Sequence, residues 1–512
     1  MHRPYLIVLR PFNFFQSIIG ELIGCGASSA SAYTSGSDKV LNPTANSCKV
    51  EIVMCTYTAG IDLGTTNLEL ILLDIKNFRV AERFSVPVHR IPRDNPYAYE
   101  QDAVGIVASV KELLRRVKEP LSSVGITGQV HGMVYTDEAL RPLSPLYNWL
   151  DRRGVEPWNN RTPQEVLEAK TGVRLAAGVG LLTHYANRLF DRVPAGARRL
   201  MGITELVAGS LTGGPLSMTD DSILASFGAC TPEGFCRTEL LREVLSPDCP
   251  AFLDRAPHFS VAGCLSAGLC SGGGAPVAYP VGDNQAGFFG VMPYPEDACL
   301  VSIGTSGQIS FFSPKPVCPS GMELRPYLGK GYLQVGATLA AGKSYEALAG
   351  LIKEIILASG GCIEEEGVFT LMKQAARAVD GNPSLVFETT LNGTRQDTAK
   401  RGSITGICLD NLHLGNLVLA AIDGIVWELA GFVKSQGLSS VTVTGNAPRK
   451  NDMFVEAIRR QFNLAVRTPR FDGAGFGAAI IGALAAGLVK DGETAGLIER
   501  FQQEESPGAH TP

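Results

Sequence analysis

Apolar residues gather in short runs along this chain, and two of the runs end alike. Val53 to Asp74 reads as a hairpin. A β-rich run breaks at Gly64-Thr65-Thr66, and Leu68-Glu-Leu-Ile-Leu-Leu73 resumes it. Well past the middle, the run from Cys299 to Ile303 breaks at Gly304-Thr305-Ser306, and Gly307-Gln-Ile-Ser-Phe-Phe312 resumes it. Elsewhere the spacing changes period. Gln101 to Lys118, Tyr345 to Ala358, Leu414 to Ser435 and Asn451 to Phe462 carry apolar residues at helical intervals. Val124 to Gly128, Val277 to Gly282 and Val441 to Thr444 are short strands that end in polar or Gly-rich turns. Gly475 opens a helix of small residues, a composition suited to close packing. Strands alternating with helices predict an α/β fold whose site lies on loops at the sheet ends. The strand–Gly-Thr–strand unit occurs twice, as an internal repeat rather than a solenoid.

At 512 residues the chain exceeds one ordinary core, so at least two domains are expected. The net charge of −5 leaves no basic footprint for nucleic acid. Twelve Cys are scattered without metal-ligand spacing, which reads as reduced thiols, and Cys25, Cys48 and Cys55 come nearest to a cluster. No run of about 18 apolar residues occurs, so no membrane-spanning helix and no membrane partner is predicted. Residues 1–56 read as a disordered leading segment. Arg3 and Arg10 flank apolar residues as in a signal sequence, but Glu21 interrupts the apolar core. A cytoplasmic protein is expected.

The loops carry the candidate chemistry. Glycine lets a backbone approach a bulky anion, and exposed N–H groups and hydroxyls can then bind phosphate oxygens. Two such loops, one per half, suggest related domains closing on a polyphosphate. Asp62 alternates with Ile61 and Leu63, so its side chain leaves the apolar face. A carboxylate there can hold a hydrated Mg²⁺. Asp283, beside the amides Asn284 and Gln285 at a strand end, reads by itself first as a helix cap and also as a candidate base. Gln129 and His131, two apart on an expected extended segment, would point the same way; a lone His is also a common structural residue. Trp149, in Tyr147-Asn-Trp-Leu-Asp-Arg-Arg153, offers either a wall for a sugar's C–H face or a core anchor. Ala337-Thr-Leu-Ala-Ala-Gly-Lys-Ser344 imitates a P-loop but lacks the first Gly, and no second acidic strand follows it.

Taken together, Gly60-Ile-Asp-Leu-Gly-Thr-Thr66, Gly128-Gln-Val-His-Gly132, Trp149-Leu-Asp-Arg-Arg153, Gly282-Asp-Asn-Gln285, Ile303-Gly-Thr-Ser306 and the closing Gly-rich helix resemble the FGGY family of carbohydrate kinases, from about Thr58 to Leu488. The resemblance implies two duplicated actin-like (ribonuclease H-like) ATPase domains with a cleft between them. It sets an N-terminal domain at 57–295, a C-terminal domain at 296–490 and a tail at 491–512. It further implies an ATP- and Mg²⁺-dependent kinase acting on a terminal sugar hydroxyl. Asp283 is then the base; Gln129, His131, Trp149, Asp151 and Asn284 meet the sugar; Gly64, Thr65, Thr66, Gly304, Thr305, Ser306, Gly342, Gly445 and Asn446 meet ATP; Asp62 attends the metal. Gly128-Gln-Val-His-Gly132 is similar to the ketose-specific form of its loop, with Met218-Thr-Asp-Asp-Ser222 and Arg449-Lys-Asn-Asp452 leaning toward sedoheptulose ahead of xylulose. A homodimer is compatible with the family. Glu69 departs from it, standing where many relatives carry a basic residue, and motivates an alternative: a non-catalytic sugar-binding regulator on the same scaffold.

Overall fold

Tyr57–Leu63 (β1) and Asn67–Asp74 (β2) form the first antiparallel pair. Both are nearly continuous apolar runs, as suits strands covered on both faces. Arg79–Pro87 (β3) extends the pair outward, and its alternating exposure marks it as the edge of the sheet. On the other side of β1, Leu121–Gly128 (β5 below) runs parallel to it. In a computed structural model, residues 56–245, 254–271, 274–380, 385–394, 397, 399–433 and 437–503 are described, and Met54–Pro512 forms one compact unit. The expected leading segment up to residue 55, with its three Cys, lies outside the described residues.

Ordering the strands of the first sheet requires a short one, Glu100–Gln101 (β4), which stands apart and pairs with Leu146–Tyr147. After β5 come Val261–Cys264 (β6), Pro276–Ala278 (β7) and Val281–Gly282 (β8). The spatial order is β6-β7-β5-β1-β2-β3, with β8 also on β5. A second sheet repeats the plan with Ala298–Ile303 (β9), Gly307–Ser313 (β10), Glu323–Tyr327 (β11), Gly331–Thr338 (β12), Ser440–Thr444 (β13) and Ala465–Arg467 (β14), in the order β11-β12-β10-β9-β13-β14. In both sheets an antiparallel hairpin, β1–β2 or β9–β10, adjoins a parallel strand, β5 or β13. The duplication read from the two Gly-Thr breaks is therefore real at the level of pairing.

Helices cover these sheets. Ala103–Arg116 (α1) packs its buried Ile106, Val110, Leu113 and Leu114 into the first core. Gln101, expected at the start of that helix, belongs to β4 instead. The second core takes Ala341–Ala358 (α3), Glu365–Arg377 (α4), Leu414–Ala430 (α5) and Met453–Phe462 (α6), while Asp283–Val291 (α2) stands between the two sheets in the chain. The helix expected over 451–462 is present as Met453–Phe462, and a short helix that the sequence reading missed precedes it. Asn446–Lys450 ends at Asn451, whose Oδ1 accepts from Met453 N at 3.2 Å and restarts the turn. Sequence reading missed β3, β11, β14 and α4.

Ala474–Ala485 (α7) is late in the chain but packs on the first sheet. Thr58 Oγ1 donates to Ala479 O at 3.0 Å. A Cβ on Gly125 would lie 1.7 Å from Ala478 O, and one on Gly60 would lie 1.9 Å from Gly475 O. Only glycine permits this approach of helix to strand. The small-residue composition of α7 therefore serves packing. Past it, Thr494–Gln502 buries Leu497, Ile498 and Phe501 against the same region, so this part of the expected tail is folded; 504–512 lie outside the described residues.

Candidate active site

Strand ends from both sheets open on one cavity of about 500 Å³. Asp62, Gly64 and Glu69 reach it from the first hairpin, Arg83 from β3, and Asp283 and Asn284 from the start of α2. The second sheet contributes Gly304, Gln308, Gly445 and Asn446, with Arg449 and Asp472 beside them. Seven of the anticipated residues are thus brought together: Asp62, Gly64, Asp283, Asn284, Gly304, Gly445 and Asn446. Thr65, half-exposed, and Thr66, Thr305 and Ser306, exposed, sit on the same two hairpin loops.

Asp283 is the first residue of α2, after Gly282 as N-cap, so it is not itself the cap. Its Oδ1 accepts from Asn284 N at 2.7 Å and Asn284 Nδ2 at 3.0 Å. Those bonds aim one oxygen; among the described residues Oδ2 has no hydrogen-bond partner and is available to a substrate proton. The turn before it is held in place. Asp220 Oδ1 accepts from Ser222 Oγ at 2.5 Å, and Ser222 Oγ accepts from Gly282 N at 3.0 Å. The Met218-Thr-Asp-Asp-Ser222 stretch therefore supports the start of α2 from behind. Gln285 differs from expectation: it is buried and donates to Pro326 O at 2.9 Å, tying α2 to β11. Burial pulls the pKa of Arg325 on β11 below the usual arginine range, and Asp283 offsets part of that pull.

Asp62 faces Glu69 across the β1–β2 ladder. Burial first, then Asp283, then Glu69 push its pKa up to about 7. Glu69 is also raised, by burial and by Asp472, against the opposing pull of Arg83 and Arg449. Arg83 Nε sits 3.1 Å from Glu69 Oε1, so the carboxylate that departs from the family pattern brings its own cation. Arg449 is bonded to Asp472 in the same way. Among the described residues no group of three or more His, Cys, Asp or Glu is placed to hold a metal ion. Asp62, raised by burial and by the nearby Asp283 and Glu69, nonetheless stands among carboxylates that suit a hard divalent cation keeping most of its waters.

The second Gly-Thr loop is buttressed by α3. Gly342 N donates to Gly304 O at 3.1 Å and Lys343 N to Thr305 O at 3.1 Å. A Cβ on Gly342 would lie 2.2 Å from Gly304 O. The P-loop lookalike is thus a helix start pressed against a neighbouring loop. Gly445, at φ 100°, stands so close to Ile303 O that no other residue fits there.

The expected sugar-side residues divide. Trp149 is 46% exposed, so it is not a core anchor; its Nε1 donates to Thr65 Oγ1 at 2.9 Å. Asp151 is fully buried and both its oxygens are taken, by Arg153 Nε at 2.7 Å, Arg153 Nη2 at 2.9 Å and Tyr99 N at 2.9 Å. It holds the loop, and Trp149 is what the loop presents. Gln129 and His131 do not lie on an extended segment. His131 has φ 72°, a left-handed turn, and its ring Nδ1 lies 2.7 Å from Ser226 O, while Gln129 turns inward to Gln101 Oε1 at 3.0 Å. None of these four lines the main cavity. Arg83, which lines the cavity, and Gln101, which bonds to Thr65 O and Gln129 behind it, were missed: strand pairing places each, and that leaves no local motif.

Duplicated sheets with hydroxyl-bearing hairpin loops around one cavity are the architecture of two-domain actin-like ATPases. A xylulose kinase from Lactobacillus acidophilus has this fold, matching at a TM-score of 0.72 with 21% identity over 88% of this chain and 93% of that one. Residues 57–225 match the N-terminal domain of the FGGY family of carbohydrate kinases. Similarity extends further along the chain to the human sedoheptulokinase, 28% identical over 83% of this chain and 96% of that protein. The xylulose kinase of Staphylococcus xylosus is 25% identical over 84% and 90%. The family match is to its N-terminal domain, and the relatives similar along most of the chain are sugar kinases, which supports a phosphotransferase with an alcohol as acceptor.

Proposed function

We propose that this enzyme transfers the γ-phosphoryl group of ATP to the terminal hydroxyl of a ketose, sedoheptulose before xylulose, forming sedoheptulose 7-phosphate and ADP. The observation that carries the reading is Asp283. It stands at a helix start with one oxygen fixed by Asn284, in a cavity that glycines of both hairpin loops line. In this reading Asp283 Oδ2 takes the hydroxyl proton while the sugar oxygen bonds to the γ-phosphorus and the bond to the β-phosphate oxygen breaks. The loops at Gly64-Thr65-Thr66 and Gly304-Thr305-Ser306 hold the phosphates by N–H groups and hydroxyls. Gly445 and Asn446 flank the adenosine, and Gly342 keeps the second loop in register. Asp62 would hold Mg²⁺ through water, and that ion would neutralise phosphate charge. Arg83 beside Glu69 supports catalysis over the regulator reading, because Glu69 does not stand in the cleft uncompensated.

Sedoheptulose is favoured on the similarity to the human sedoheptulokinase, together with the polar side chains available for a long ketose. The test is a coupled ADP-release assay of purified protein against C3 to C7 polyols and ketoses. Sedoheptulose should give the highest kcat/KM and glycerol one or more decades less, since each buried polar group left unpaired costs about 1–3 kcal/mol. Xylulose ahead of sedoheptulose would change only the substrate. Glycerol in first place would remove the assignment of the sugar side.

A further inference from the structure

Gln101 lies between the sugar-side loop and the first phosphate loop and bonds to both. It is 0% exposed. Its Nε2 donates to Thr65 O at 2.7 Å. Its Oε1 accepts from Gln129 Nε2 at 3.0 Å and Asn148 Nδ2 at 3.3 Å. Pairing of β4 with Leu146–Tyr147 fixes the residue in place. The neighbouring Glu100 holds the same loop by another route, accepting from Arg153 Nη2 at 2.9 Å. A second link runs over the surface, where Trp149 Nε1 donates to Thr65 Oγ1. Thr65 is therefore held at its carbonyl and at its hydroxyl by residues that adjoin or belong to the sugar loop. Gln129 Oε1 is buried with no donor among the described residues, which favours a shift of Gln129 toward an incoming hydroxyl.

We infer that Gln101 is a positioning residue that couples the two substrates: a sugar meeting Gln129 and Trp149 sets the backbone of Thr65 for the phosphates. The inference rests on the sugar-side reading of Gln129 and Trp149. In a fully buried amide both ends are committed, so movement of one partner must be passed to the other or break a bond. Coupling of this kind is reciprocal, so it is visible in nucleotide binding alone.

The experiment measures Kd for a non-hydrolysable ATP analogue with Mg²⁺, with and without the ketose that wild type turns over best. In wild type the sugar should tighten nucleotide binding about fivefold or more. In Gln101→Met, which keeps bulk and removes both bonds, the ratio should fall to within about twofold of unity. Thermal melting of the variant separates this from general damage, because a purely structural role would lower the melting point and leave the ratio intact. Should Gln101→Met fail to fold, Gln101→Asn decides, since it keeps the amide but is one methylene too short to hold Thr65 O and Gln129 together, and it should at least halve the ratio. Turnover of a ketose with wild-type coupling kept in the folded variant, or with no coupling in wild type, overturns the inference alone. Absence of turnover with every sugar removes the sugar-side reading and the inference with it.

Discussion

Asp283 and Asp62 face one cavity but differ in what surrounds them, and the difference gives each its own test. Asp283→Asn is nearly isosteric and cannot take a proton. It should keep sugar binding, read by calorimetry, and lower kcat about 10²–10⁴-fold. Asp62 is the group with a pKa raised to about 7. A carboxyl raised on folding binds its proton more tightly in the native state than in the unfolded chain. Native stability then falls as pH climbs from the ordinary carboxylate range, near 4, to about 7, and levels off above it. Asp62→Asn removes that penalty. Without metal or nucleotide, the variant should melt above wild type at pH 7.5, and the gap should shrink toward pH 4. A gap that widened on acidification would show that Asp62 is not held protonated by its neighbours. Activity with Mg²⁺–ATP should fall in the same variant.

At the scale of elements, the contact of α3 with the second hairpin loop is the most exposed to perturbation. Gly342→Ala puts a methyl against a backbone carbonyl that has nowhere to go. Overpacking of this kind costs about 1–3 kcal/mol. The variant should show a lower melting temperature and a raised KM for ATP, with KM for the sugar little changed. An unchanged KM for ATP would separate α3 from the nucleotide side. This scale also marks where the sequence stops being legible. Both hairpins could be read from their apolar runs and Gly-Thr breaks, because hairpin pairing is local. Asp283 and the glycines of the cavity came from the same local signals. Gln101 could not be read so, since it looks like the first residue of α1 until β4 pairs with a strand over forty residues on. Arg83 answers Glu69 only through the β2–β3 pairing. Asp151 carries the same chemical signature whether it meets a sugar or an arginine, and only burial tells the two apart. His131 escapes the extended reading through one left-handed backbone angle.

For the whole molecule, the two hairpin loops belong to different sheets, and a polyphosphate must touch both for transfer to align. The halves should therefore close when both ligands are present, as in hinge-type enzymes. Small-angle scattering with ketose, Mg²⁺ and a non-hydrolysable ATP analogue should give a smaller radius of gyration than the free protein. An identical radius would mean that the cavity already has its working shape. Within the described residues no helix is long and apolar enough to cross a membrane.

The seating of α7 has a consequence for biosynthesis. Its backbone lies directly on Gly60 and Gly125, strands made at the very start of the ordered chain, yet the helix is encoded near the end. During synthesis strands β1 and β5 emerge some 350 residues before the helix that covers them. Until then Ile71, Leu73 and the apolar side of α2 lack Phe476 and Ile480, with which they share a core. The first half has a core of its own residues, but its sheet reaches final packing only after the second half has been made. Completion of the shared core waits on one late long-range contact, a non-local pairing of the kind that slows folding and leaves apolar surface uncovered while the chain is being made.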